Sequence, residues 1–170
     1  MFVQTLSQTN LYWGYVNFPK GVLFDETNLL KDVVYSILKK QKLKRSRELD
    51  AIEKYIMEHL HAIFKLNLET SINGVHSLMF KPKEISKPTI EADPMDYKNA
   101  PDFVCLYGFK VNKCKLIFHY EDGSRYKGRS LTCDFEPNKF FMFPSTAMYY
   151  IENNQEEDSN LLIKSCYAVR

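Results

Sequence analysis

Residues 139–152, Lys-Phe-Phe-Met-Phe-Pro-Ser-Thr-Ala-Met-Tyr-Tyr-Ile-Glu, leave the chain few ways to fold. Residues 140–143 are a continuous apolar run of strand length. Pro144 has no N–H to offer a sheet ladder, so the strand stops there and the chain turns through Ser145. Strand character resumes over 148–151 and ends at Asn153-Asn154. Two strands that meet at so tight a corner need partners on either side.

The flanking sequence supplies them. Residues 72–80, 103–109, 115–120 and 161–169 read as strands, with Glu121-Asp-Gly-Ser124 as a turn and 153–160 as a polar loop. Leu131, Cys133 and Phe135 alternate with Ser130, Thr132 and Asp134, the pattern of a half-buried strand. Pro82, Pro88, Pro94 and Pro101 make 81–101 a long irregular loop of the kind that carries function or contacts. At the N-terminus, 2–6 and 11–16 read as short strands turned at Gln8-Thr9-Asn10 and broken at Phe18-Pro19-Lys20-Gly21. Trp13 clusters with Tyr12 and Tyr15, as a core or interface anchor would.

Two helices precede the strand-rich part. Leu29, Leu30, Val33, Val34, Ile37 and Leu38 recur at helical spacing, which predicts a helix over 27–40 capped by Asp25 or Thr27. A second helix over 46–65 starts at Ser46, carries Glu48 in its first turn and buries Leu49, Ile52, Ile56, Leu60, Ile63 and Phe64. The junction concentrates cations: Lys39, Lys40, Lys42, Lys44, Arg45 and Arg47. It reads either as a solvated helix junction or as a docking patch for phosphate or an acidic protein surface.

At 170 residues the chain reads as one domain over 1–170, strands and the helical pair in 1–66 and the remaining strands in 67–170. Its 45% hydrophobic content argues against disorder, and 14% aromatic content leans toward β structure. With 23 Lys and Arg against 21 Asp and Glu, nucleic acid is expected only through nonspecific contact at the basic junction. No apolar run is long enough to span a membrane, and the N-terminus has no signal-peptide pattern, so a cytoplasmic location is expected. Cys105, Cys114, Cys133 and Cys166 form no C-x-x-C pair and read as buried free thiols.

Known catalytic patterns are missing. Ser145 follows proline rather than a nucleophile elbow, no glycine loop could cradle phosphate, and Cys133 beside Asp134 has no histidine nearby in sequence to act as its base. His119 and Glu121 share a strand face, and His76 could join them from another strand as a metal ligand. His59 and His61, two apart on a helix, do not form a chelating pair.

Asp102-Phe-Val-Cys-Leu-Tyr-Gly-Phe109 with Lys115-Leu-Ile-Phe118, Phe135-Glu-Pro-Asn-Lys-Phe-Phe-Met-Phe-Pro-Ser145 and Ile151-Glu-Asn-Asn154 together resemble the small prolyl-hydroxylase-like iron(II)/2-oxoglutarate-dependent oxygenases of marine bacteria and large tailed phages. The resemblance covers roughly 66–170. It implies an α+β fold: an antiparallel double-stranded β-helix, or jelly roll, with two N-terminal helices packed on one sheet. It also implies a facial triad of two histidines and a carboxylate on iron. That triad's first histidine would fall in 93–102, which contains Asp96 but no histidine. Its second would fall at Tyr149, and the arginine that grips 2-oxoglutarate at Asn160. Asp96, Tyr149 and Asn160 are thus expected to mark a degenerate pocket, with no catalytic residue, metal or cofactor.

The function expected is a non-catalytic structural or interaction protein bound to other protein subunits. The abundance of Lys, Asn, Tyr, Phe and Ile suits an AT-rich genome and so a phage virion, in the tail, neck or baseplate. The alternative is an active oxygenase holding iron and 2-oxoglutarate in an unorthodox site built on His76, His119 or Glu121. A third possibility is a small-molecule or carbohydrate site using Tyr97, Tyr107, Tyr149 and Tyr150.

Overall fold

The structure, a computed structural model, describes residues 10–18, 23–120 and 128–170, the side chains of 72 and 73 excepted. The strand expected over 2–6, most of the turn before Asn10, the break after Phe18 and the turn at 121–124 lie outside these residues. The described elements run β1 (Tyr12–Tyr15), α1 (Glu26–Lys39), α2 (Arg47–Phe64), β2 (Leu68–Phe80), β3 (Phe103–Lys110), β4 (Cys114–Tyr120), β5 (Arg129–Phe135), β6 (Lys139–Pro144), β7 (Met148–Asn153) and β8 (Asn160–Val169). They form two antiparallel sheets, one ordered β1-β6-β3-β8-β2 and the other β5-β4-β7. No helix among the described residues is long and apolar enough to cross a membrane.

Local chemistry sets the helix ends. Asp25 Oδ1 accepts the N–H groups of Thr27 and Asn28 and starts α1, while Lys40 in the left-handed region ends it. Ser46 Oγ accepts the Leu49 N–H at the start of α2, and Lys65 closes it in the same way. The buried stripe of α1 is Leu29, Val33 and Ser36. Leu38, though part of the apolar repeat, projects to solvent, because nine residues at 100° each place it half a turn from Leu29. Ile63 and Phe64, expected inside, lie exposed in the last turn of α2.

The five-stranded sheet is apolar on both faces, which is why its strands read as unbroken apolar runs. Cys105, Tyr107, Phe140, Met142, Ile163 and Tyr167 share one buried cluster with Leu29, Val33, Leu49, Ile52 and Ile56 of the helices. The alternate residues Val104, Leu106, Phe141, Phe143, Leu162 and Cys166 face the second sheet, where they meet Leu116, Phe118, Tyr149 and Ile151. β5 is an edge strand whose alternation holds only at its end: Phe135 is buried and Cys133 partly so, but Leu131 is exposed. Three of the four thiols are buried as expected, and Cys133 is the exception.

The corner at Pro144-Ser145 carries the chain from the larger sheet to the smaller. The proline-rich segment before it in sequence is more ordered than a free loop. Ile85 pairs with Glu152 and Thr89 with Tyr149, while Ser86 N–H donates to the Ile151 carbonyl at 2.9 Å and Thr89 N–H to that of Tyr149 at 2.8 Å. Residues 84–92 thus run along β7 as an interrupted fourth strand, broken where Pro88 has no N–H to give.

Asn153 closes the far end of this layer: its buried amide donates to the Phe80, Lys81 and Asp158 carbonyls at 2.9 Å each, and its Oδ1 accepts the Gln155 N–H at 3.0 Å. Asn153→Ala strands these groups and is expected to lower stability by about 3 kcal/mol in urea unfolding; a loss within experimental error would refute that role. Burial pushes the Cys166 thiol up to about 11 and the Cys114 thiol up to about 12. At pH 8 both stay protonated and inert. Ellman's reagent should label one thiol, Cys133, rapidly in the native chain and the other three only in denaturant; a second fast thiol would contradict this packing.

Candidate functional site

The polar cluster inside the β-structure is built by three separate parts of the chain. Tyr149 on β7 points inward because it alternates with Tyr150, and Lys164 on β8 lies between Leu162 and Cys166 on the inward face. Glu91, at the end of the interrupted strand, reaches between them. Its backbone is fixed by the corner: the N–H groups of Glu91 and Ala92 both donate to the Ser145 carbonyl at 3.0 Å. Lys164 Nζ donates to both Glu91 carboxylate oxygens at 2.8 Å, and Tyr149 Oη donates to Oε1 at 2.6 Å. The two charged side chains are only 17% and 15% exposed, so the pair is weakly screened.

Desolvation pushes the Tyr149 hydroxyl far up, and the charge of Glu91 beside it adds to the effect, so the phenol stays a donor. The cluster is then self-neutralised: one carboxylate accepts from an ammonium and a phenol. His76 stands opposite Lys164 across the β2–β8 ladder and shares the face of Leu78 and Phe80.

Sequence reasoning found one member of this cluster and missed two. Of the three residues expected to mark the pocket, only Tyr149 is there. Asp96 is exposed and holds the Asn99 amide at 2.9–3.0 Å. Asn160 is fully buried but structural: Oδ1 accepts the Asn112 N–H at 2.8 Å and the Gln155 amide at 2.9 Å, pinning the loop before β8. Glu91 is preceded by no periodic pattern that would give its direction. Lys164 could have been found from alternation, being the cation between Leu162 and Cys166 on a buried strand.

The proposed metal ligands do not converge. His119 lies on the outer face of β4, stacked on Tyr150 with ring centroids 5.4 Å apart, while His76 belongs to the other sheet. Glu121 lies outside the described residues. Among the described residues no three His, Cys, Asp or Glu side chains are placed to share a metal ion. Nor does the interior cluster fit iron: it offers a single carboxylate already accepting three hydrogen bonds, a protonated phenol and an adjacent ammonium, in place of imidazoles and open positions. The four tyrosines suggested as a ligand site are likewise scattered. Tyr97 is exposed, Tyr107 faces the helices and donates to Asn138 Oδ1 at 2.6 Å, and Tyr149 and Tyr150 point to opposite faces.

Beside Phe143 an apolar cavity of about 570 Å³ is lined by Phe118, Leu131, Ala147 and Met148, with His119 at its rim. The basic junction is also divided. Arg45 stays exposed but turns its charge back onto Asp50 and the buried Glu53, while Lys39, Lys40, Lys42, Lys44 and Arg47 lie on the surface. Trp13, 61% exposed with Lys139 Nζ 5.3 Å from its ring centroid, is not a core residue.

No protein-family model matches the chain, and no curated protein matches it in sequence. Solved structures match in fold. The non-heme alpha ketoglutarate dependent epimerase SnoN from nogalamycin biosynthesis aligns with a TM-score of 0.56 at 9% identity, over 84% of this chain and 72% of that one. A prolyl-4-hydroxylase from Pseudomonas putida aligns with a TM-score of 0.55 at 9% identity, over 85% of this chain and 82% of that one. At this identity the likeness is one of architecture: the chain has the double-stranded β-helix fold of these oxygenases.

Proposed function

We propose that this chain is a non-catalytic interaction protein on an oxygenase-like double-stranded β-helix, a degenerate relative whose pocket has become structural. The observation that carries the reading is the Glu91–Lys164–Tyr149 cluster. A carboxylate of the chain itself occupies the polar interior, and the groups that could engage a small acid, Lys164 and Tyr149, both donate to it. The two helices serve as a cover on the larger sheet. Exposed apolar side chains, including Trp13, Tyr35, Leu38, Ile63 and Phe64, support a role as a subunit among other protein subunits. A phage tail, neck or baseplate is the setting that the Lys-, Asn- and Tyr-rich composition favours.

Metal analysis and turnover test the reading together. Protein incubated anaerobically with iron(II) and 2-oxoglutarate, then desalted, should retain no stoichiometric iron and form no succinate on exposure to oxygen. Stoichiometric iron that is lost on His76→Ala or His119→Ala would establish the alternative, an oxygenase with an unorthodox site. A second test asks whether the cluster is architecture. Glu91→Gln leaves Lys164 without its counter-charge and should cost about 2 kcal/mol in thermal or urea unfolding. The double variant Glu91→Leu/Lys164→Met should recover most of that loss. A double variant less stable than Glu91→Gln would show that the pair is not a replaceable strut.

A further inference from the structure

We propose that the outer edge of β2 is a docking groove for an extended acidic segment of a partner protein, which adds to the five-stranded sheet as a further strand. The inference rests on the reading of the chain as an interaction protein and names the surface and the partner chemistry. β2 is the last strand of its sheet, with β8 on one side only. His76, Leu78 and Phe80 lie opposite Lys164, Leu162 and Asn160. The Val75 carbonyl points the other way, where it accepts the Leu43 N–H at 2.8 Å. In an antiparallel strand both backbone groups of a residue point to the same side and alternate along the chain. Ser77 and Met79 therefore present their N–H and C=O groups along the open edge. The helix junction covers this edge at Val75 through Leu43, leaving 77–79 open.

A groove of about 640 Å³ runs beside this edge, with Ser36, Ile37, Lys40 and Lys42 on one side and Ser77 and Met79 on the other. Its floor is rigid, since Ser36 Oγ donates to the Val33 carbonyl and lies 2.6 Å from Ser77 Oγ. Lys40, the left-handed residue that ends α1, is fixed at the groove by its backbone N–H, which donates to the Ile37 carbonyl, and the stem of Lys42 lies over Gly74, 3.1 Å from where a Cβ would be. Lys39 and Lys44 are exposed nearby in the chain, and Lys81 follows the other end of the strand. Glu84 also lies at that end, its carboxylate accepting the Lys81 N–H at 2.6 Å.

Charge selects the occupant. Two copies of this edge laid together would oppose lysines at both ends, which disfavours self-pairing. A nucleic acid would find cations here, but the only rings among the described groove-lining residues are the His76 imidazole and the buried Phe80, too few to stack successive bases. An extended peptide with acidic side chains satisfies the backbone groups of Ser77 and Met79 through main-chain bonds and meets Lys40 and Lys42 through its side chains.

The test uses the full chain and fluorescein-labelled octapeptides in anisotropy titrations at about 50 mM salt, where surface charge is weakly screened. One peptide alternates Glu and Val, one alternates Lys and Val, and one alternates Glu and Pro, which keeps the charge but removes main-chain donors. The Glu-Val peptide should bind, the Lys-Val peptide should not, and the Glu-Pro peptide should bind at least about tenfold more weakly. Lys40→Glu/Lys42→Glu should weaken Glu-Val binding by about tenfold or more. Met79→Pro, which removes an edge N–H without touching the β8 ladder, should do the same, with circular dichroism confirming the fold. Absence of Glu-Val binding, equal binding of Glu-Val and Glu-Pro, or unchanged binding by the charge-reversed chain would overturn the proposal. So would a DNA duplex that binds more tightly than the Glu-Val peptide, or a dimer in sedimentation that Met79→Pro abolishes. Such failures would leave the non-catalytic reading standing, whereas iron retention and succinate formation would remove that reading without involving this edge.

Discussion

One carboxylate joins the two sheets. Lys164 belongs to the five-stranded sheet, Tyr149 to the three-stranded sheet and Glu91 to the segment that runs along the latter. Between this point and Asn153, whose amide reaches the Phe80 carbonyl at the far end, the sheets meet through apolar side chains such as Phe141, Phe143, Leu116 and Phe118. Apolar packing is strong but not directional, and it leaves the spacing of two sheets adjustable. A carboxylate held at 2.6 and 2.8 Å by groups on both sheets fixes that spacing at one end. Burying the charges costs solvation free energy, so such a link is weak evidence for added stability and better understood as fixing geometry. The raised Tyr149 hydroxyl fits this, because a phenol that stays protonated donates continuously to its acceptor.

The same economy appears at the sheet edges. An open edge is a standing risk of unwanted pairing, and proteins limit it with short strands, charge or cover. β1 at one edge has only four residues, and Lys139 of its neighbour lies over the rings of Trp13 and Tyr15. β2 at the other edge is much longer, and among the described residues the helix junction bonds its backbone at Val75, through the Leu43 N–H. The dense cations of the helix junction fall beside this exposed length. Placed there they repel a second copy of the same edge, which gives a physical reason for the charges to lie where they do.

Much of this architecture could be read from the chain, and the limits have physical causes. The helices were legible because Asp25, Ser46 and the apolar spacing are local signals that need no tertiary context. The strands around Phe143 and Ile163 were legible as apolar runs, and the corner as a proline that ends a ladder. Ile63 and Phe64 were misplaced because a helical stripe two residues wide resembles a wider one until the packing partner is known. The path of 84–92 was hidden by Pro88 and the flanking Pro82 and Pro94, which erase periodicity even where the backbone still bonds to β7. Glu91 was hidden with it. Asn160 was assigned by analogy to a position rather than by its surroundings, and its bonds to Asn112 and Gln155 are loop closure.

The Phe143-Pro144-Ser145 corner links these observations. Its proline ends β6, its turn starts β7 so that Tyr149 points inward, and the Ser145 carbonyl holds the backbone of Glu91 and Ala92. The element that defines the fold therefore also aims the side chain that fills the fold's interior. A carboxylate placed in this way faces Lys164 without any rearrangement, and the pair closes as the sheets pack. Under the proposed reading, loss of chemistry needed no loss of structure: the polar interior acquired its own counter-ion. The same reading leaves recognition to the surface, with its β2 edge and exposed aromatics.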